Sequence, residues 1–345
     1  MTGKDLFLSN LLLRGTDAVP VFLRDLTLAL DETGYSTPEV CAGRYDAVKS
    51  ARSVLALHRR LGQDAVVGCV HHVGMDIEAL GGEVCYPLEG IPSIVKHPLR
   101  DMSSGLPEPD VSGQMPQVSE SYRMVSEGLQ GRAALACNLE GPVTKAALLR
   151  GMENLVMDME LQPDLAREIV GFAVEQCSLF MEAVYAASSP DFIFIAAATD
   201  NPDILGERNV RCHSLPGLHS LLRKARALGT PSVFHPHGDF SDECKSSLLE
   251  DLLGTGIDGF QFAEGNDPVR MRDVLSGRAC VMGGIDAFTT LLMGPMSRID
   301  QEARCFLDVF RHQPGYVFMC SCSLHRGLPL SNVDALMRSI RSYVR

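Results

Sequence analysis

The chain has 345 residues, 46% of them apolar and 21% charged, which is enough for one large core or two ordinary ones and excludes a disordered or fibrous protein. Its 31 basic and 43 acidic side chains leave a formal charge of −12. That balance repels phosphate backbones and anionic lipid, so neither nucleic acid nor a membrane is expected as a principal partner.

In chain order, short runs rich in Val, Ile and Phe occur at Val19 to Leu23, Ala65 to Val70, Ala133 to Leu139, Phe192 to Ala197, Ser232 to Phe234, Gly259 to Phe262, Ala279 to Met282 and Tyr316 to Met319. Each reads as a buried strand. Segments of helical period lie between most of them; behind Pro163, for example, Leu165, Ile169, Phe172, Gln176, Leu179 and Ala183 recur three or four apart, with the proline suited to a first turn. Eight alternations, with no G-x-G-x-x-G after the first strand, predict an α/β fold of the (β/α)8 TIM-barrel type rather than a doubly wound sheet. The stretch 82–120 carries Pro87, Pro92, Pro98, Pro107, Pro109 and Pro116. It is too rich in proline for a plain barrel helix and is expected to form an excursion over one barrel mouth, inside a single domain spanning residues 1–345. Gly141-Pro142 and Gly283-Gly284 read as tight strand exits.

No uninterrupted apolar run approaches the roughly 18 residues of a spanning helix, and residues 1–10 lack the basic start and apolar core of a secretion signal. The eleven cysteines are odd in number and scattered, mostly inside apolar runs. A cytoplasmic setting with reduced thiols is therefore expected.

The sharpest local signal is Val233-Phe234-His235-Pro236-His237-Gly238-Asp239, at the end of the fifth expected strand. In an extended segment His235 and His237 leave the same side of the backbone, an arrangement open to a metal or to hydrogen-bonded histidines. Met319-Cys320-Ser321-Cys322 ends the eighth strand, and in a barrel the chemistry gathers at that C-terminal face. Two imidazoles and one thiolate on one face would leave a fourth position open, as in catalytic zinc, and nitrogen with sulfur favours Zn²⁺ over Mg²⁺ or Ca²⁺.

Taken together, these pieces resemble the uroporphyrinogen decarboxylase superfamily, and within it the zinc-dependent, corrinoid-linked methyltransferases. The likeness runs through Gly62-Gln63-Asp64-Ala65, Glu78-Ala79-Leu80-Gly81-Gly82, Leu139-Glu140-Gly141-Pro142-Val143-Thr144, Leu149-Arg150-Gly151, the His235 to Asp239 run, Gly283-Gly284-Ile285-Asp286 and Pro329-Leu330-Ser331-Asn332. That branch carries H-x-C on the fifth strand and a cysteine seven residues before the proline of P-L-x-N. The resemblance therefore implies His235, His237 and Cys322 as zinc ligands, with Cys320 in reserve and His237 standing where cysteine is usual. It also implies a cobalamin (corrinoid) carried by a partner corrinoid-binding protein, since no D-x-H-x-x-G-type cobalamin signature is present, together with a small methyl donor or acceptor. A homodimer is a further option.

Replacing one thiolate by imidazole raises the formal charge at the metal from neutral to +1. A more positive metal better stabilises a departing alkoxide or phenolate, which points to demethylation of an O- or N-methyl donor. Transfer from methylcobalamin to a thiol of the coenzyme M type is the alternative, followed by decarboxylation and by a non-catalytic metal-binding barrel. The decarboxylase branch has R-Q-A-G-R after its first strand and an aspartate after its second; here Arg24 keeps one arginine, and His71-His72 stand in place of the aspartate. His71 and His72 are read as proton-handling or substrate-contacting groups. Glu140, Asp200, Asp239, Glu264 and Asp286 all fall near strand ends. Asp239 and Glu264 are the candidates to accept a second N–H from a metal-bound histidine; Arg24, Glu140, Asp200 and Asp286 are candidates to contact substrate.

Overall fold

A computed structural model describes residues 1–71, 74–88 and 90–343. Nine strands occur among them: β1 (Ala65–Val67), β2 (Glu83–Cys85), β3 (Ser93–Lys96), β4 (Ala134–Glu140), β5 (Phe192–Ala197), β6 (Ser232–Pro236), β7 (Gly259–Gln261), β8 (Cys280–Gly283) and β9 (Tyr316–Phe318). Seven form one parallel sheet in the order β1-β4-β5-β6-β7-β8-β9, each step the next barrel strand in the chain. Helices lie between the strands, because a parallel connection must cross back over the sheet and bury its own apolar stripe on the way. The fold is a (β/α)8 barrel.

The first expected strand, Val19 to Leu23, fills the first barrel position, between β9 and β1, without forming a regular ladder. On one side Val21 bridges Phe318 in parallel, with Phe22 N donating to the Phe318 carbonyl at 3.0 Å and Phe318 N to the Pro20 carbonyl at 2.9 Å. On the other side Asp64 N donates to the Val21 carbonyl at 2.8 Å, and side chains supply the other acceptors: Val21 N donates to Asp64 Oδ2 at 2.8 Å and Leu23 N to Gln63 Oε1 at 3.0 Å. Pro20 has no N–H to offer a ladder. The amide of Gln63 and the carboxylate of Asp64 thus supply acceptors that the backbone of a regular β1 partner would otherwise provide.

The helix behind Pro163 spans Pro163–Ser188 and begins on that proline. Its fully buried face is wider than the expected stripe: it includes Ala166, Val170, Ala173, Cys177 and Met181 as well as Ile169, Phe172 and Gln176, while Leu165, Leu179 and Ala183 are half-buried. At 26 residues it is long and apolar enough to cross a membrane, yet half of its most apolar window is buried against the barrel and neighbouring helices. A helix between a sheet and other helices is apolar on several sides for that reason.

The proline-rich stretch contains the antiparallel pair β2 and β3 and reaches the C-terminal mouth, where the Leu88 carbonyl accepts from Arg326 Nη1 at 2.8 Å. Its last residues enter the helix Met115–Leu129, with Pro116 in the first turn. The strand exits need glycine for space. A Cβ on Gly284 would lie 2.2 Å from the Met319 carbonyl oxygen, and one on Gly141 2.6 Å from the Cβ of Ala197.

Candidate metal centre and active site

The β6 residues around His235 are extended, and Ala196 of β5 pairs with His235. This sends the rings of His235 and His237 the same way, with centroids 4.9 Å apart. Cys322 arrives from the loop after β9. The ligand atoms of His235, His237 and Cys322 all lie within 4.8 Å of one another. His237 Nε2 stands 3.9 Å from Cys322 Sγ, near the roughly 3.5 Å edge of a tetrahedron with Zn–N of about 2.0 Å and Zn–S of about 2.3 Å.

The protonation states suit a metal. His235 is 1% exposed; its Nδ1 lies 3.3 Å from the Gln261 carbonyl oxygen, and its buried Nε2 has no hydrogen-bond partner. Nδ1–H therefore donates to the carbonyl and Nε2 presents a lone pair to the cluster. Burial first, then the charges of Arg24 and His237, keep the ring well below its ordinary pKa and so neutral. For Cys322, burial works to raise the thiol, but the His237 hydrogen bond and the Arg24 charge outweigh it and bring it down to about 7. Cys320, by contrast, is pushed well up by burial. Its contribution is the backbone carbonyl, which accepts from Gln261 Nε2 at 2.7 Å. Gln261 of β7 thus ties the orientation of His235 to the strand end that carries Cys322.

Beside this cluster lies a buried charged group. Glu140, at the end of β4, accepts from Gly74 N at 3.2 Å, sits 3.5 Å from His71 Nε2 and pairs with Lys145 Nζ at 3.1 Å. Lys145 also pairs with Asp76 at 2.5 Å, and Asp76 accepts from Gln176 Nε2 at 2.8 Å. Burial would raise the Glu140 carboxyl, but Lys145 and His71 overcome it and hold the group well below the usual carboxylate range. Arg24 is 5% exposed, with Nε and Nη1 buried and unpartnered. Its guanidinium lies 4.9 Å from the centroid of Phe194, where burial lowers its pKa against the opposing charges of Cys322 and Glu140.

Other expected residues have different places. Asp239 accepts from Ser241 N at 2.9 Å and from its hydroxyl at 2.5 Å, turned into its own loop. Glu264 is exposed. Neither receives the second N–H of His235, because the carbonyl of the neighbouring strand already stands there. Asp286 accepts from Phe288 N and Thr289 N at 2.7 and 2.8 Å, capping the turn that follows β8. Asp200 accepts from Thr144 N at 3.0 Å, Thr144 Oγ1 at 2.9 Å and Ser214 Oγ, a structural tie between two strand exits. His72 lies outside the described residues. Asp76, Lys145, Gln176 and Gln261 were not anticipated. The one available signal was Lys145 itself, a lone cation in the otherwise small and apolar Pro142 to Leu149 run.

Residues 2–343 match the sequence profile of the family described as uroporphyrinogen decarboxylase (URO-D). The methylcobamide:CoM methyltransferase MtaA of Methanosarcina barkeri is 26% identical over 324 residues, covering 91% of this chain and 89% of that protein. A uroporphyrinogen decarboxylase of Azoarcus sp. (strain BH72) is 23% identical over 369 residues, covering 99% and 96%. The solved structure of a methyltransferase from Methanosarcina mazei superposes with a TM-score of 0.86 at 24% identity, over 99% of this chain and 98% of that one, and has the same fold.

Proposed function

This chain belongs to the uroporphyrinogen decarboxylase family, and from that premise we propose that it is a zinc-dependent, corrinoid-linked methyltransferase acting in the cytoplasm. The observation that carries the reading is the convergence of His235, His237 and Cys322 within 4.8 Å: three nitrogen and sulfur donors with a fourth side left for substrate. Zinc bound there supplies Lewis acidity toward a heteroatom that gains or loses a methyl group. The chain's own residues do the rest. Gln261 fixes the tautomer of His235, and Arg24 brings two unpaired donors to a water-poor barrel interior, where an anion formed by demethylation gains most from a fixed charge. Glu140, held ionised by Lys145, sets a carboxylate 3.5 Å from His71 Nε2. Eleven free cysteines suit a reducing compartment.

The donor set of two imidazoles and one thiolate favours removal of a methyl group from an O- or N-methyl donor to cob(I)alamin on a partner corrinoid protein. A second reading, methyl transfer from methylcobalamin to a thiol, is supported by the likeness to the M. barkeri enzyme. Purified protein incubated with cob(I)alamin and O- or N-methyl donors should form methylcobalamin, followed by absorbance. His237→Cys should lose this reaction and gain thiol methylation. Wild-type transfer from methylcobalamin to a thiol, with no response to methyl donors, reverses the direction. No methyl exchange in either direction sinks the methyltransferase reading.

A further inference from the structure

A cavity of about 310 Å³ opens at the barrel mouth, walled by Ile91, Ala287, Phe288 and Leu292, with Ser323 and His325 as its polar end. Arg326 also borders it, but that guanidinium is engaged with Asp31 at 2.7 Å and the Leu88 carbonyl at 2.8 Å. Ser323 Oγ lies 3.8 Å from Cys322 Sγ, so the polar end of the cavity adjoins the metal ligands. The volume is at the small end of ligand sites, which run from roughly 300 to 1,000 Å³. It suits a small molecule and is too small for a tetrapyrrole.

A chain of hydrogen-bonding groups stands behind the polar end. Arg326 N donates to Thr27 Oγ1 at 3.1 Å, and Thr27 Oγ1 stands 3.3 Å from His325 Nδ1. Thr27 Oγ1 has a second lone pair and its own hydrogen, so it can accept from Nδ1–H or donate to Nδ1; the arrangement that serves a ligand is the second, with the proton of the neutral ring on Nε2. Nε2–H then donates to Ser323 Oγ, 2.9 Å away. This leaves the Ser323 hydroxyl hydrogen free for a ligand heteroatom or the Cys322 sulfur. Burial, helped by the charges of Arg24 and His71, pushes the His325 ring down to about 4, so it is uncharged at neutral pH.

We propose that this cavity is the binding site of a small, uncharged, largely apolar methyl donor whose ether or amine heteroatom accepts a hydrogen bond from Ser323, with His325 and Thr27 as positioning residues. The inference rests on the methyl-transfer reading and names the donor class for it.

Calorimetric titration of the full-length, zinc-loaded protein with anisole, ethylbenzene and 4-methoxybenzoate tests it without a corrinoid. Anisole should bind saturably and about five-fold more tightly than ethylbenzene, the worth of one net hydrogen bond, and more tightly than 4-methoxybenzoate. Leu292→Arg, at a position 37% exposed where folding should survive, should weaken anisole about ten-fold or more by putting a charge in the apolar wall. His325→Leu should abolish the preference for anisole over ethylbenzene at unchanged zinc content. No saturable binding, equal binding by the Leu292 variant, or tighter binding of the carboxylate overturns the proposal. Saturable anisole binding by a protein that exchanges no methyl group instead sinks the methyltransferase reading and leaves the cavity assignment standing.

Discussion

Cys320 and Cys322 are two residues apart, yet only one thiol joins the histidines. Cys320 is 1% exposed and its sulfur is held protonated by burial, whereas Cys322 faces His237 and the positive charge of Arg24. Protein purified without chelator should therefore hold about one zinc per chain by elemental analysis. His235→Ala, His237→Ala and Cys322→Ala should each remove it, while Cys320→Ala should not; zinc retained by the Cys322 variant and lost from the Cys320 variant would reverse the choice of sulfur. Lys145 gives a second residue-scale expectation. Its removal in Lys145→Met leaves Glu140 and Asp76 buried without their cation, which should cost about 3–5 kcal/mol at neutral pH. In the wild type the depressed Glu140 carboxyl contributes stability that is present above its unfolded pKa and lost as pH falls through the folded value. In the variant both buried carboxylates have raised pKa values, so stability is lost instead as pH rises above the unfolded value. Urea melts at pH 4 and pH 8 should show opposite slopes for the two proteins; parallel slopes would mean that Lys145 does not set the charge state of the pair.

At the scale of elements, the barrel is closed where its ladder is irregular by two side chains and one backbone bond, from Asp64 N to the Val21 carbonyl at 2.8 Å. Asp64 accepts from Val21 N at 2.8 Å and also from Arg341 Nη2 at 2.8 Å, joining the first and second barrel positions to the C-terminal helix Leu330–Arg341. Burial raises the Asp64 carboxyl against the pull of Arg341. Asp64→Ala leaves a buried backbone N–H unsatisfied and should cost about 1–3 kcal/mol, read as a lowered midpoint in denaturant. Gln63→Ala should act in the same direction through Leu23 N, and the double variant should lose less or more than the sum because both bonds hold one segment. An additive double variant would show that the two contacts close the barrel independently.

For the whole molecule, the acidic total and the charged interior both argue against a tetracarboxylate substrate. Arg24 is the buried guanidinium with free donors among the described residues, and Lys145 is already neutralised by Asp76 and Glu140. Four carboxylates would meet one available cation. The chain should therefore not convert uroporphyrinogen to coproporphyrinogen; product formation at about 1 per second or faster would restore decarboxylation as its reaction.

Much of this protein was legible before folding. Alternating Val, Ile and Phe runs announced the barrel, because strands buried on both faces must be apolar throughout. The spacing of His235 and His237 placed both rings on one side, because side chains alternate along a strand. Tertiary structure decided the rest. Whether Cys320 or Cys322 faces the histidines depends on the path of the loop after β9. Asp200 and Asp286 became structural acceptors because the folded chain brings backbone N–H groups within hydrogen-bond reach of their carboxylates. The group of Glu140, Asp76, Lys145 and Gln176 draws on residues up to 100 positions apart. No local pattern encodes such a group, since its members are brought together only when the barrel closes and burial makes unpaired charge too costly to leave.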